Sequence, residues 1–242
     1  MTVHSNGGKT VAISQSNYIP WKGYFDLLAR CDEFVIFDSV QFTRRDWRNR
    51  NRIKTPRGPQ WLTIPVEVKG RYAQPIDDVQ IASKAWARDH WRNIESNYAR
   101  AAEFSSTAPW LHELFDAAAP HSRLTDLNEF LLRGIANRLG ITTTVRRDID
   151  VLGRSALADM DATERLVELC TALGATRYLS GPAARAYLDE QRFRSSDIEV
   201  VWMSYGPYPE YPQPWGPFVH EVSIVDVLLC AGDAARRYLE TA

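Results

Sequence analysis

The sequence predicts an α/β protein: an open parallel, Rossmann-like sheet with helices on both faces, plus an inserted β-hairpin and helical subdomain. Three observations carry this. Residues 10–14 and 33–38 are short apolar runs flanking a helix-compatible stretch over 23–30, the pattern of a βαβ unit with parallel strands and a right-handed crossover. After Gly140 the same alternation of strand-like and helix-like segments returns. Between the two regions lie a cationic stretch with a turn signal and several aromatic-rich helical patterns. The reading is one domain over 1–242, with a core of 10–41 and 120–242 and an insertion over 42–119.

In chain order, residues 1–9 read as a loose tail and 10–14 as a buried strand. Residues 15–21 form a loop, and the helix over 23–30 turns Phe25, Leu27 and Leu28 inward. A second strand covers 33–38. Residues 49–54 and 61–66 are β-rich and flank Pro56 to Pro59, so they read as a hairpin. A short strand follows over 79–81, then helices over 84–100, 108–118 and 124–139. Gly140 ends the last of these. Strands over 142–146, 176–180 and 198–204 alternate with a helix over 161–173 and a short one from Gly181-Pro182 to Leu188. Asp161 and Glu164 have the spacing of a capping box. Residues 206–217 are Pro-rich and irregular, and helices over 223–231 and 233–239 close the chain.

A formal net charge of −1 argues against a dedicated nucleic-acid binder. Cys31, Cys170 and Cys230 are too few and too dispersed for a disulfide framework or zinc site, and read as buried free thiols. None of the five histidines has metal-ligand spacing with another, and His90 on an aromatic helix reads as structural. No signal peptide or membrane-spanning run is found, so the expected location is cytoplasmic, without a membrane partner.

Candidate site residues gather where predicted strands end, which is where open parallel sheets bind ligands. Gln15, Asn17, Tyr18 and Trp21 follow the first strand, with Gly23 and Tyr24 at the start of the next helix. Asp38 and Gln41 follow the second, where Asp38 suits a base or an amine or hydroxyl partner. Residues 44–57 carry six arginines and Lys54 against Asp46 alone. On an extended backbone Arg48, Arg50, Arg52 and Lys54 share one face, a cationic rail suited to phosphate, with Asn49, Asn51 and Ile53 on the other. Ser180 and Gly181 open a helix and offer a modest anion site. Tyr211 and Gln213 lie in the Pro-rich aromatic segment, which suits stacking on a ring or covering a pocket. Ser223 and Asp226 have capping spacing, which accounts for both.

The first loop resembles that of the nucleotidylyltransferase superfamily, with Trp21-Lys22-Gly23-Tyr24 standing where that superfamily has His-x-Gly-His. Both histidines, which stabilise charge on the transferred phosphate there, are absent. A closer resemblance spans nearly the whole chain. Gln15-x-Asn17-Tyr18-x-Pro20-Trp21-x-Gly23-Tyr24-Phe25, Phe37-Asp38-x-Val40-Gln41-Phe42, and Trp47-x-Asn49-Arg50-Asn51-Arg52-Ile53-Lys54 resemble segments of the WbqC-like family. So do Trp61 to Val66, Tyr178-Leu179-Ser180-Gly181, Tyr211-x-Gln213 and Ser223-Ile224-x-Asp226-x-Leu228. Ser16 departs from the family's usual proline, which loosens the loop.

The family occurs in bacterial O-antigen and other polysaccharide gene clusters and is suggested to include glycine transferases. The resemblance implies an enzyme, an aminoacyl or acyl transferase. It would form an amide between a small amino acid and an amino-sugar nucleotide or related natural-product amine. Position and chemistry then assign the roles. Gln15, Asn17 and Asn49 orient the acyl carbonyl and its oxyanion, Asp38 serves the amine, Arg50 and Arg52 hold phosphate, and Tyr18 and Trp21 wall the pocket. Activation is open between ATP and an acyl or aminoacyl thioester, the latter implying a carrier-protein partner. The alternatives are a nucleotidylyl or adenylyl transferase and a non-catalytic module binding a sugar nucleotide or RNA.

Overall fold

The computed structural model describes residues 8–240. Its strands are β1 (Thr10–Ser14), β2 (Glu33–Ile36), β3 (Arg50–Thr55), β4 (Gly58–Thr63), β5 (Thr144–Arg147), β6 (Arg177–Ser180) and β7 (Glu199–Trp202). Its helices are α1 (Lys22–Ala29), α2 (Trp86–Tyr98), α3 (Phe104–Ala118), α4 (Leu124–Arg138), α5 (Asp148–Leu152), α6 (Arg154–Ala158), α7 (Ala162–Ala172), α8 (Glu190–Arg194) and α9 (Ile224–Ala231). They form two compact units. The first takes residues 8–15, 27–39 and 143–204, and the second takes 16–26, 40–142 and 205–240.

The first unit holds a five-stranded sheet in the order β5-β2-β1-β6-β7, with every neighbouring pair parallel. The chain builds outward from β1 through β2 to β5, then returns to lay β6 and β7 on the other side. That reversal makes β1 and β6 the topological switch point, and their carboxyl ends carry Gln15 and Gly181. Val11, Ile13, Val35 and Tyr178 pack with Leu157 of α6, Leu166, Val167, Leu169 and Cys170 of α7, and Phe193 of α8. Ala12, Phe34 and Ile36 point to the opposite face and are equally buried, so the strands read as continuous apolar runs rather than alternating ones. The Asp161 side chain accepts from the Thr163 and Glu164 amides, and Glu164 reaches back to the Asp161 amide, the capping box expected.

Several local expectations change here. Of the tail read over 1–9, residues 1–7 lie outside the described residues. Lys9 is no tail: its carbonyl accepts from Thr176 and Arg177, and its Nζ pairs with Glu33. Helices α5, α6 and α8 have no sequence counterpart, because five residues are too few to show a helical period. The helix expected from Gly181 is a 3-10 turn over Pro182–Ala186.

In the second unit, β3 and β4 pair antiparallel around Gly58, whose φ of 102° needs glycine. Asn51 and Ile53 are buried while Arg50 and Arg52 are half-buried, as the alternation predicts. Lys54 breaks the row. It is buried, with its Nζ donating to Gln213 Oε1 at 2.8 Å and to the Pro217 carbonyl at 2.7 Å. Helix α2 buries Trp86, His90, Trp91, Ile94 and Tyr98 at helical spacing. Helix α3 begins a turn earlier than expected, because Pro109, which favours a first turn, sits inside it. Residues 79–81 make isolated bridges, Gln80 to Arg123 and Ile81 to Val66, rather than a strand. The closing segment Gly232–Tyr238 is a 3-10 helix. This unit is larger than the insertion read over 42–119. It also gathers the first loop, α4, the Pro-rich segment and α9.

Candidate functional site

The second unit contains a pocket of about 240 Å³ lined by Asn17, Pro20, Trp21, Trp47, Asn51 and Glu221. Its base is the loop before α1, which is clamped from several directions. Ile19 adopts φ 34°, a strained value for a β-branched residue that persists only where its surroundings over-determine it. Asn51 Nδ2 donates to the carbonyls of Tyr18 at 3.1 Å and Ile19 at 2.9 Å, and its Oδ1 accepts from the Arg52 amide. Ser223, the N-cap of α9, donates its hydroxyl to the Ile19 carbonyl at 2.7 Å. The Tyr18 amide donates to the Trp47 carbonyl, and the Ile224 amide to that of Pro20. Arg48 donates to the Ser16 carbonyl, while Asn128 of α4 donates to the Ser16 hydroxyl and the Arg48 carbonyl.

Behind the loop, Tyr18 is fully buried and its hydroxyl meets His90 Nδ1 at 2.7 Å. His90 Nε2 faces the Thr63 carbonyl, which only accepts, so Nε2 carries the proton and Nδ1 accepts from Tyr18. Burial depresses the His90 pKa to about 4, so the ring stays neutral. Tyr18 therefore supports the loop instead of walling the pocket.

The walls are indoles. Trp21 lies against Tyr205 and Tyr208 and folds over Gly23, where an added Cβ would come within 2.3 Å of the Trp21 ring. Gly23→Ala is expected to push that ring off the wall. The measurable result is a shifted tryptophan emission with a loss of about 1–3 kcal/mol in chemical denaturation. Trp47 contacts Trp61 at 5.2 Å, and both remain over a third exposed. The Arg50 guanidinium sits 4.1 Å over Trp61, and that of Arg52 lies near both rings. The Nε atoms of Arg48, Arg50 and Arg52 are buried without a hydrogen-bond partner among the described residues.

Asn17 Oδ1 is likewise buried and unpartnered among the described residues. Asn49 is buried and does not line the pocket; its Nδ2 donates to the Ile64 carbonyl at 2.8 Å, bracing the hairpin, while its Oδ1 has no hydrogen-bond partner among the described residues. Asn51 lines the pocket, but its carboxamide is fully used by the backbone. Tyr24 is a core residue, and Gln41 is exposed with its amide on the Tyr72 carbonyl. In the first unit Gln15 is half-buried, while Asp38 and Ser180 are buried at strand ends and Gly181 precedes the 3-10 turn. Asp38, 2% exposed and with interactions of its own, is not among the residues that line the pocket.

Tyr211 and Gln213 belong to a buried network. The Asp226 carboxylate, 0% exposed, accepts from Tyr98 at 2.6 Å and from Tyr211 and Gln213 at 2.7 Å each. Burial raises its pKa while these donors oppose the shift. Capping explains Ser223 but not this carboxylate. Nearby, Lys22 Nζ lies 5.2–5.3 Å from the ring centres of Tyr208, Tyr211 and Phe218 and donates to the Pro209 carbonyl. Desolvation lowers its pKa to about 8 from an ordinary 10.5, against the pull of Asp226 and Glu210. Between those values the unfolded chain holds more protons, so this group's contribution to stability rises with pH across that window. Lys22→Met is expected to gain about 1–3 kcal/mol below this window, the gap closing towards its upper end in paired denaturation curves.

Sequence reasoning missed Glu221, the charged group that lines the pocket, because two residues before a helix cap it carries no local signal. Among the described residues no cluster of three His, Cys, Asp or Glu can hold a metal ion, and no helix is long and apolar enough to cross a membrane.

Fold and pocket thus define an α/β protein with a small indole-walled pocket in its second unit. The chain belongs to the WbqC-like protein family, whose model matches residues 15–238. It is 49% identical over 231 residues to the uncharacterized protein Rv1507c of Mycobacterium tuberculosis, covering 96% of this chain and 97% of that one. No solved structure matches it.

Proposed function

We propose that this protein is a transferase that forms an amide between a small amino acid and the amine of an amino-sugar nucleotide or related natural product. The observation that carries the reading is the indole-walled pocket, with Asn17 on its lining and the cations of Arg50 and Arg52 on the strand that supplies Asn51. Indole faces suit a sugar ring or a short acyl chain, and guanidinium groups suit a phosphate. In the reaction the amine nitrogen bonds to the acyl carbon, the bond from that carbon to its leaving group breaks, and the nitrogen gives up a proton. Asn17, on the pocket lining, would orient the acyl carbonyl through its Nδ2 N–H groups. The donor is an acyl-adenylate made from ATP or a thioester on a carrier protein. Incubation with amino-sugar nucleotides and amino acids, with ATP or thioester donors, should yield the mass of the amide. Absence of product across that panel overturns the reading.

The nucleotidylyl alternative weakens, because the two positions that hold histidines in that superfamily are here an indole folded over Gly23 and a core tyrosine. A second reading, a non-catalytic module for sugar nucleotides or RNA, draws on the exposed indoles of Trp47 and Trp61 with the half-buried Arg50 and Arg52 against them. Salt-sensitive RNA binding without nucleotide binding would favour its RNA form.

A further inference from the structure

The charge on the pocket lining is negative. Glu221 is exposed on the segment leading into α9, and among the described residues no cation lines the pocket with it. The nearby guanidinium groups of Arg50 and Arg52 are held against the indoles of Trp61 and Trp47. Of the two carboxamides, that of Asn51 is spent on the Tyr18 and Ile19 carbonyls and the Arg52 amide. That of Asn17 has an acceptor without a donor, and rotation about its last side-chain bond would present it to an N–H group in the pocket. The remaining walls are Pro20 and the rings of Trp21 and Trp47. Aromatic faces attract cations through their quadrupole, more strongly where water is excluded. A carboxylate, an unsatisfied amide oxygen and two indoles therefore favour a cation over an anion. At about 240 Å³ the pocket is smaller than common drug-sized sites and suits a single small ring or a short chain.

We infer that this pocket is an ammonium subsite. It receives the protonated primary amine of a small polar ligand between Trp21 and Trp47, with Glu221 as its ionic partner and Asn17 accepting one N–H. The inference deepens the transferase reading, and rests on it for identifying this amine as the group to be acylated. Any phosphate on the same ligand then lies outside the pocket, since its lining has no cation to meet it.

The test is binding, read without turnover. Glucosamine is titrated into the full chain while the indole N–H resonances of Trp21 and Trp47, assigned with Trp21→Phe and Trp47→Phe, are followed by NMR. Glucose and N-acetylglucosamine, which lack the ammonium group, are run alongside. Glucosamine is expected to shift both resonances at concentrations where the two neutral sugars do not. Glu221→Gln is expected to weaken glucosamine about tenfold, while Glu113→Gln on the exposed side of α3 leaves it unchanged. Equal binding of the neutral sugars, or no effect of Glu221→Gln, overturns the subsite. Amide formation without glucosamine binding here would defeat this inference and leave the transferase reading standing. Selective binding with no amide from any donor would do the reverse.

Discussion

Asp226→Ala should destabilise the protein by about 3–5 kcal/mol, because it removes the hub of a buried polar network. The carboxylate is the common acceptor for Tyr98, Tyr211 and Gln213, and Lys54 contributes a favourable charge nearby. Alanine leaves two buried hydroxyls and an amide without their acceptor and an ammonium group without its counter-charge. Each buried orphan costs about 1–3 kcal/mol, more when charged, although relaxation recovers part of the sum. The damage also spreads along the chain. Tyr211 and Gln213 hold the Pro-rich segment, and Gln213 further accepts from Lys54 and from the Val219 amide. Asp226→Asn keeps the shape and one acceptor, and should cost less, about 1.5–3 kcal/mol. Urea midpoints for the two variants check the order. A midpoint for Asp226→Ala at the wild-type value would show that the network adds nothing net.

Asn51→Leu comes next, at about 2–4 kcal/mol, and separates support from binding. Its carboxamide satisfies two carbonyls and one amide, and those bonds hold Ile19 at its positive φ. Leucine fills the space but removes the donor to the Tyr18 carbonyl and leaves the Ile19 carbonyl to Ser223 alone, so the loop should relax and carry Trp21 with it. Ligand binding is then lost together with stability. Asn17→Ala should behave differently, with a denaturation midpoint near wild type and weakened binding, because the Asn17 oxygen has no partner to lose. Thermal melts and indole NMR on both variants give the comparison. Equal loss of stability in the two would mean that Asn17 is part of the scaffold.

The legible parts of this chain are those governed by near neighbours in sequence. Apolar runs mark β1, β2 and β6, Gly58 marks the hairpin turn, and Asp161 with Glu164 marks the start of α7. The parallel character of the sheet follows once strands alternate with helices. What stays hidden is decided by distant partners. Asp226 sits in the first turn of α9 and looks like capping chemistry, yet its partners come from α2 and the Pro-rich segment. Lys54 continues a cationic alternation in the sequence, but in the fold it is drawn to Gln213 and Pro217. Asn49 and Asn51 read as ligand contacts because amides are not needed for solubility. In the fold both are buried and their Nδ2 groups donate to backbone carbonyls, those of Ile64, Tyr18 and Ile19. Short helices such as α5 and α6 lie below the length at which periodicity speaks.

The weaving of the chain between its two units has a consequence for how the protein is made. The backbone passes from one unit to the other after residues 15, 26, 39, 142 and 204, so no contiguous stretch encodes either. On the ribosome β1 emerges early but waits for β6, since Thr10 pairs with Arg177, and the loop at Pro20 waits for Ile224. Neither unit can finish before most of the polypeptide exists, and such non-local pairing slows folding. Premature termination before residue 204 should thus yield two incomplete halves rather than one intact module, and neither half can be cut out and grafted elsewhere as a single segment.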